Sequence, residues 1–139
     1  MTVTISALID LNVILDVLQR REPFYETSAR VLATVETGLI RGWVSAHSVT
    51  TLFYLVAKHQ SAEHARAAIG EVLSLLSVAK VDQAVIEQAL TLPYTDFEDA
   101  VQMVAAVQTG AQYLITRDVA DYKAGPLPVL TPAELLALV

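Results

Sequence analysis

Three aspartates lie far apart in the chain, yet their positions suit one kind of chemistry. Asp10 ends the apolar run 3–9. Asp99 falls in the first turn of a helical pattern at 96–109. Asp118 follows the apolar run 113–116 with one residue intervening. If these carboxylates converge they repel, since two like charges ~4 Å apart cost about 4 kcal/mol at an effective dielectric near 20. Such a cluster protonates, spreads apart or holds a cation. The chain has no cysteine, and no histidine stands at ligand spacing. An all-oxygen donor set suits Mg²⁺ or Mn²⁺ rather than zinc. A hard cation there activates water and stabilises the charge that develops when a phosphodiester is cleaved.

The elements that would position these acids alternate in type. Residues 3–9 (VTISALI) are apolar and β-branched, as in a buried strand. Helical patterns follow at 12–20 and 24–37, the second stopping at Gly38. A second strand is expected at 39–44, with Ser45 capping a helix at 46–57 and Ser61 capping another that runs to Leu76. A short third strand at 78–81 precedes a helix at 82–90. The helix at 96–109 opens with a capping box, Thr95 with Glu98 or Asp96 with Asp99, and closes at Gly110. A fourth strand at 113–116 and a fifth within 126–130 follow, then a last helix started by Pro132. Alternation of this kind implies a parallel sheet covered on both faces. The expected fold is a single α/β domain over 1–139, a three-layer α/β/α sandwich. Its sheet of four or five strands is mainly parallel, with extra helices between the second and third.

This topology brings the acids together. Open parallel sheets bind ligands beyond the carboxyl ends of their strands, where Asp10 and Asp118 both lie. The turn at Gly110 makes the helix at 96–109 antiparallel to the fourth strand, so its N-terminus and Asp99 reach the same edge. Each acid also has an ordinary reading: Asp10 as a helix cap, Asp96, Glu98 and Asp99 as complements to the helix dipole, Asp118 and Asp121 as turn residues. The ordinary reading is preferred for Asp96, Glu98 and Asp121, and the site reading for Asp10, Asp99 and Asp118.

Composition bounds the function. Of 139 residues, 54% are hydrophobic and 17% charged, so a core is available and disorder is not expected. No apolar run reaches the ~18 residues of a membrane span, and no secretory signal is expected at the start of the chain. Absence of cysteine fits the cytoplasm. The net charge of −6 leans against a nucleic-acid partner held by phosphate neutralisation. The objection weakens if a divalent ion inverts the charge at the acids, or if a dimer builds a basic groove.

Four segments then resemble one family. Asp10-Leu11-Asn12-Val13-Ile14-Leu15-Asp16 resembles the opening of PIN domains. Residues 45–52 resemble their third-helix segment, and Asp99-Ala100-Val101-Gln102 their Asp-Ala-hydrophobic helix. Thr116-Arg117-Asp118-Val119-Ala120-Asp121-Tyr122 resembles their closing Thr-Arg-Asp segment, which often continues to Asp-Phe. Order and spacing match over essentially the whole chain. The resemblance implies an α/β/α fold and a Mg²⁺- or Mn²⁺-dependent ribonuclease acting on RNA. Small members are commonly toxins of the VapC kind, dimeric and neutralised by a small antitoxin protein. It further implies that Asp10, Asp99 and Asp118 are metal ligands or position the attacking water. Asn12 would support Asp10 by hydrogen bonds, and Thr116 would contact phosphate or steady its loop.

One position departs from the pattern. The family usually carries a glutamate in the third helix, where this chain has Thr51. A hydroxyl supplies neither that charge nor a general base near neutral pH. One metal would then bind instead of two, or Asp121, Asp96 or Asp16 would compensate, or the protein would be a weak or inactive nuclease; the non-enzymatic alternative is a degenerate PIN domain that binds RNA or protein. Arg117 is a candidate for holding phosphate oxygens; Lys123, Arg20 and Arg21 are weaker ones. His47 is read as a surface or capping residue, and Trp43 and Phe53 as core. A haloacid-dehalogenase-like phosphatase is disfavoured because Asn12 replaces its second aspartate and no later Lys and Asp-Asp pair follows.

Overall fold

The computed structural model describes residues 4–122 and 125–139. Val3, at the start of the expected first strand, and Lys123 lie outside them. The elements are β1 (Ile5–Ile9), α1 (Leu11–Leu18), α2 (Tyr25–Glu36), β2 (Ile40–Ser45), α3 (Ala46–His59) and α4 (Ala62–Leu75). They continue with β3 (Ser77–Ala79), α5 (Gln83–Ala89), α6 (Phe97–Thr109), β4 (Tyr113–Ile115), a 3₁₀ turn (Val119–Tyr122), β5 (Val129–Leu130) and α7 (Pro132–Leu136). The sheet has five strands in the order β3-β2-β1-β4-β5, and every pairing is parallel. Among the described residues seven helices flank it in the expected three layers, with α3 and α4 between β2 and β3.

Strand alternation divides the core. Ala7 and Ile9 face one hydrophobic cluster, shared with residues of α1, α2, α3, α4 and α7. Leu8 faces the other, shared with α5 and α6. β4 does the same with Ile115 on the first side and Leu114 on the second. Both faces of the central strands are buried, which is why those strands read as continuous apolar runs. Leu8, Ile9 and Leu114 are fully buried, each worth about 1.5–3 kcal/mol of apolar transfer.

Local chemistry sets the boundaries. Asp82 caps α5 by accepting Val85 N–H at 3.1 Å, and Ser61 caps α4 through His64 N–H at 3.0 Å. Thr131 and Glu134 form a capping box on α7, with Pro132 in its first turn. Asp96 caps α6 by accepting Glu98 N–H at 2.9 Å, so neither expected capping box forms there. Ser45 precedes α3 but does not cap it, because its hydroxyl bonds His47 Nδ1 at 2.6 Å. β5 is two residues long because Pro126 and Pro128 have no N–H to offer a ladder. Gly110 ends α6 at φ 84°, a left-handed conformation that glycine adopts without strain. That turn sends β4 back along the helix and brings the start of α6 to the carboxyl edge of the sheet.

Candidate metal centre

The chain leaves β1 in both directions across the sheet, toward β2 on one side and β4 on the other. A crevice opens where strand order reverses in this way. Ile9 pairs with Ile115, so the next residues of both strands, Asp10 and Thr116, meet at that point. Asp10 N–H donates to Ile115 O at 2.9 Å.

Asp10 holds the cap position of α1, yet its side chain makes no cap bond. Its carboxylate turns to the crevice instead. Oδ1 accepts from Gln102 Nε2 at 3.2 Å, and Oδ2 accepts from Thr116 Oγ1 at 3.0 Å. Asp10 is buried. Burial pushes its carboxyl above the usual range; Gln102 and Thr116 oppose the shift, and the charge of Asp118 adds to it.

Asp99, in the first turn of α6, is half-buried. Its Oδ1 accepts from the Tyr122 hydroxyl at 3.0 Å. That hydroxyl accepts in turn from Gln102 Nε2 at 2.6 Å. A continuous path of hydrogen bonds thus joins Asp10 to Asp99. Burial raises the Asp99 carboxyl to about 6, against the Tyr122 hydrogen bond and with help from Asp96, Asp10 and Asp121. Burial first, then the charges of Asp10 and Asp99, push Tyr122 far upward, so it stays a protonated donor. Asp118 is exposed, with its N–H on Thr116 Oγ1 at 3.1 Å. Asp96, Asp99 and Asp121 line one open cleft of about 440 Å³ with Tyr94.

The expected residues therefore fare differently. Asp10 and Asp99 come together, and Asp118 lies close enough for its charge to act on Asp10. Thr116 steadies the loop, linking Asp10 to the backbone of Asp118. Asn12 does not support Asp10: its Oδ1 lies 3.5 Å from Arg21 Nη1, and the support comes from Gln102 and Thr116. Arg117 is turned to Asp16, which accepts from its Nε at 2.9 Å and its Nη2 at 3.2 Å. The guanidinium also stacks 3.8 Å over the Phe24 ring. Asp16 is fully buried and additionally takes Ser28 Oγ at 3.2 Å, so it cannot compensate for a missing acid at the crevice. Thr51 is half-buried on α3 and brings no charge. His47, one turn earlier on that helix, stands near Glu98, and burial lowers its pKa.

Gln102 and Tyr122 are the residues that sequence reasoning left without a role. A signal for the first existed: Gln102 interrupts the apolar stretch 100–107, three positions after Asp99 and so on the same face. For Tyr122 the family resemblance marked an aromatic after Asp121, but nothing marked its hydroxyl as a partner of Asp99.

The donor chemistry fits a hard divalent cation. All candidate ligands are carboxylate oxygens, and the ion pairs among the described residues lie elsewhere, on Asp16 and Asp82. Among the described residues, the acids at the crevice thus have no cationic side-chain partner. The ligand set is not closed, however. Among the described residues no three Asp, Glu, His or Cys side chains are grouped to hold one ion.

Residues 6–120 match the family model described as PIN domain. No curated protein matches the chain. Solved structures do. A toxin–antitoxin complex from Klebsiella pneumoniae aligns with TM-score 0.70 and 22% identity, over 91% of this chain and 97% of that one. VapBC2 from Rickettsia felis, bound to a DNA fragment from its promoter, gives 0.67 and 14%, over 91% and 98%. Mycobacterium tuberculosis VapC20, a toxin that cleaves the sarcin–ricin loop, gives 0.63 and 18%, over 78% and 86%. At these identities the likeness is one of fold.

Proposed function

The chain belongs to the PIN-domain family, and on that premise we propose that it is a Mg²⁺- or Mn²⁺-dependent endoribonuclease. Asp10, Asp99 and Asp118 are the residues that would hold the ion. The observation that carries this reading is the pair Asp10 and Asp99. They are joined at the switch point by neutral donors, and among the described residues no salt bridge balances them. Buried like charges of this kind are unfavourable unless a cation joins them.

When bound, the ion supplies Lewis acidity toward phosphodiester oxygens and lowers the pKa of water. The chain's own groups do the rest. Gln102, Thr116 and Tyr122 orient the carboxylates. Single-stranded RNA is the proposed substrate, and the open cleft that Asp99 and Asp121 line supports access to the acids from solvent.

Toxin–antitoxin assemblies among the similar folds support a biological setting: a VapC-like cytoplasmic toxin, dimeric, held inactive by a small antitoxin. Thr51 and the unclosed ligand set favour a second reading, a degenerate PIN domain that binds RNA or protein without cleaving. One assay separates the two. Cleavage of single-stranded RNA that stops with EDTA and returns with Mn²⁺ supports the nuclease. Binding without turnover supports the module, and metal-independent turnover contradicts the mechanism.

A further inference from the structure

Gln102 and Tyr122 are buried between the two central carboxylates, and their geometry assigns the direction of every bond. The Gln102 amide donates one N–H to Asp10 Oδ1 at 3.2 Å and the other to the Tyr122 hydroxyl at 2.6 Å. Tyr122 then donates its single proton to Asp99 Oδ1 at 3.0 Å. The opposite amide orientation would set the Gln102 oxygen against the Asp10 carboxylate, so the network itself fixes the assignment. No buried side-chain nitrogen or oxygen among the described residues is left without a partner.

We propose that Gln102 and Tyr122 are positioning residues, a neutral hydrogen-bonded strut that sets the spacing of Asp10 and Asp99 for a divalent cation. The proposal rests on the metal-site reading above. Neutrality is the point. A lysine or arginine in this place would hold the carboxylates equally well but would cancel the charge that attracts a cation. An amide and a phenol donate protons and leave that charge intact. The strut leaves Asp99 Oδ2 and the remaining lone pairs of Asp10 for the ion. The Tyr94 ring, edge-on to Tyr122 with centroids 5.8 Å apart, and its hydroxyl on Tyr122 O at 3.4 Å hold the phenol in place.

The test titrates the full chain with Mn²⁺ alone, followed by electron paramagnetic resonance. Tyr122→Phe keeps the ring and removes the donor; Gln102→Leu removes the other half of the strut. Each is expected to weaken Mn²⁺ binding about 10-fold, as loss of a partner that orients a ligand does. For Tyr122→Phe, kcat is expected to fall by about the same factor, with KM for RNA within roughly twofold. A purely structural role would lower the unfolding midpoint and leave Mn²⁺ affinity of the folded variants unchanged, which overturns the proposal. If the wild-type chain takes up no Mn²⁺, the metal-site reading fails and the strut with it. If wild type and both variants bind Mn²⁺ equally, the strut alone fails.

Discussion

Two sets of acids are withdrawn from water within this protein, and they are treated in opposite ways. Asp16 is fully buried and receives a bidentate arginine fork, a serine hydroxyl and a second arginine, Arg21, at 3.9 Å. Asp10 and Asp99 receive an amide, a threonine hydroxyl and a phenol. The first carboxylate is neutralised within the fold. It ties α1 and α2 to the loop after β4, as a buried pair with good geometry does. The second pair is hydrogen-bonded but meets no cationic side chain among the described residues, and burial drives both pKa values upward. Burial alone therefore does not mark a functional acid; what the neighbours leave unbalanced does.

The largest expected effect falls on activity. Asp10→Asn or Asp99→Asn should reduce RNA cleavage by more than about 100-fold, beyond what loss of an outer partner costs, while circular dichroism shows the fold intact. Stability should separate the two regions next. Arg117→Met strands the Asp16 charge and should destabilise by about 3 kcal/mol in urea unfolding. Asp99→Asn removes an uncompensated charge and should leave metal-free stability within about 0.5 kcal/mol of wild type or above it. Equal losses in both variants would erase the distinction.

A smaller effect is expected from pH. The Asp99 carboxyl titrates at about 6 in the folded metal-free chain against an ordinary value of 3.8. The folded state therefore binds this proton more tightly than the unfolded state. Its contribution is fully present below about pH 4 and is lost as pH rises through 6. Asp10 shifts in the same direction. Metal-free protein should thus be more stable at pH 5 than at pH 7.5 by thermal denaturation, with a weaker dependence in Asp99→Asn. The smallest change is expected from Thr51→Glu. Returning a carboxylate to α3 should raise the cleavage rate a few-fold if that position faces the ion. No change would place Thr51 outside the site.

Much of this architecture was legible in the sequence because its signals are local. The β-branched run ending at Asp10, the apolar spacing after Asp99 and the stop at Gly110 fix strand, helix and turn. Parallel topology then carries Asp10 and Asp99 to one edge without further information. Side-chain partners were less legible, because they depend on how α1, α6 and the loop after β4 pack. Arg117 lies next to Asp118 in sequence but reaches across to Asp16, 101 positions away. Asn12 sits two residues after Asp10 yet faces Arg21. Tyr122 reaches Asp99 only because the 3₁₀ turn folds its ring under α6. Such contacts are set by tertiary geometry, which periodicity does not encode.

Anomalous scattering from a crystal soaked in Mn²⁺ bears most directly on the contrast between the neutralised and the uncompensated acids. The expected result is a peak at the carboxyl edge of β1 and β4, about 2.1 Å from oxygens of Asp10 and Asp99, with none at Asp16. A crevice that stays free of anomalous signal at saturating Mn²⁺, or a peak that avoids both aspartates, would contradict it.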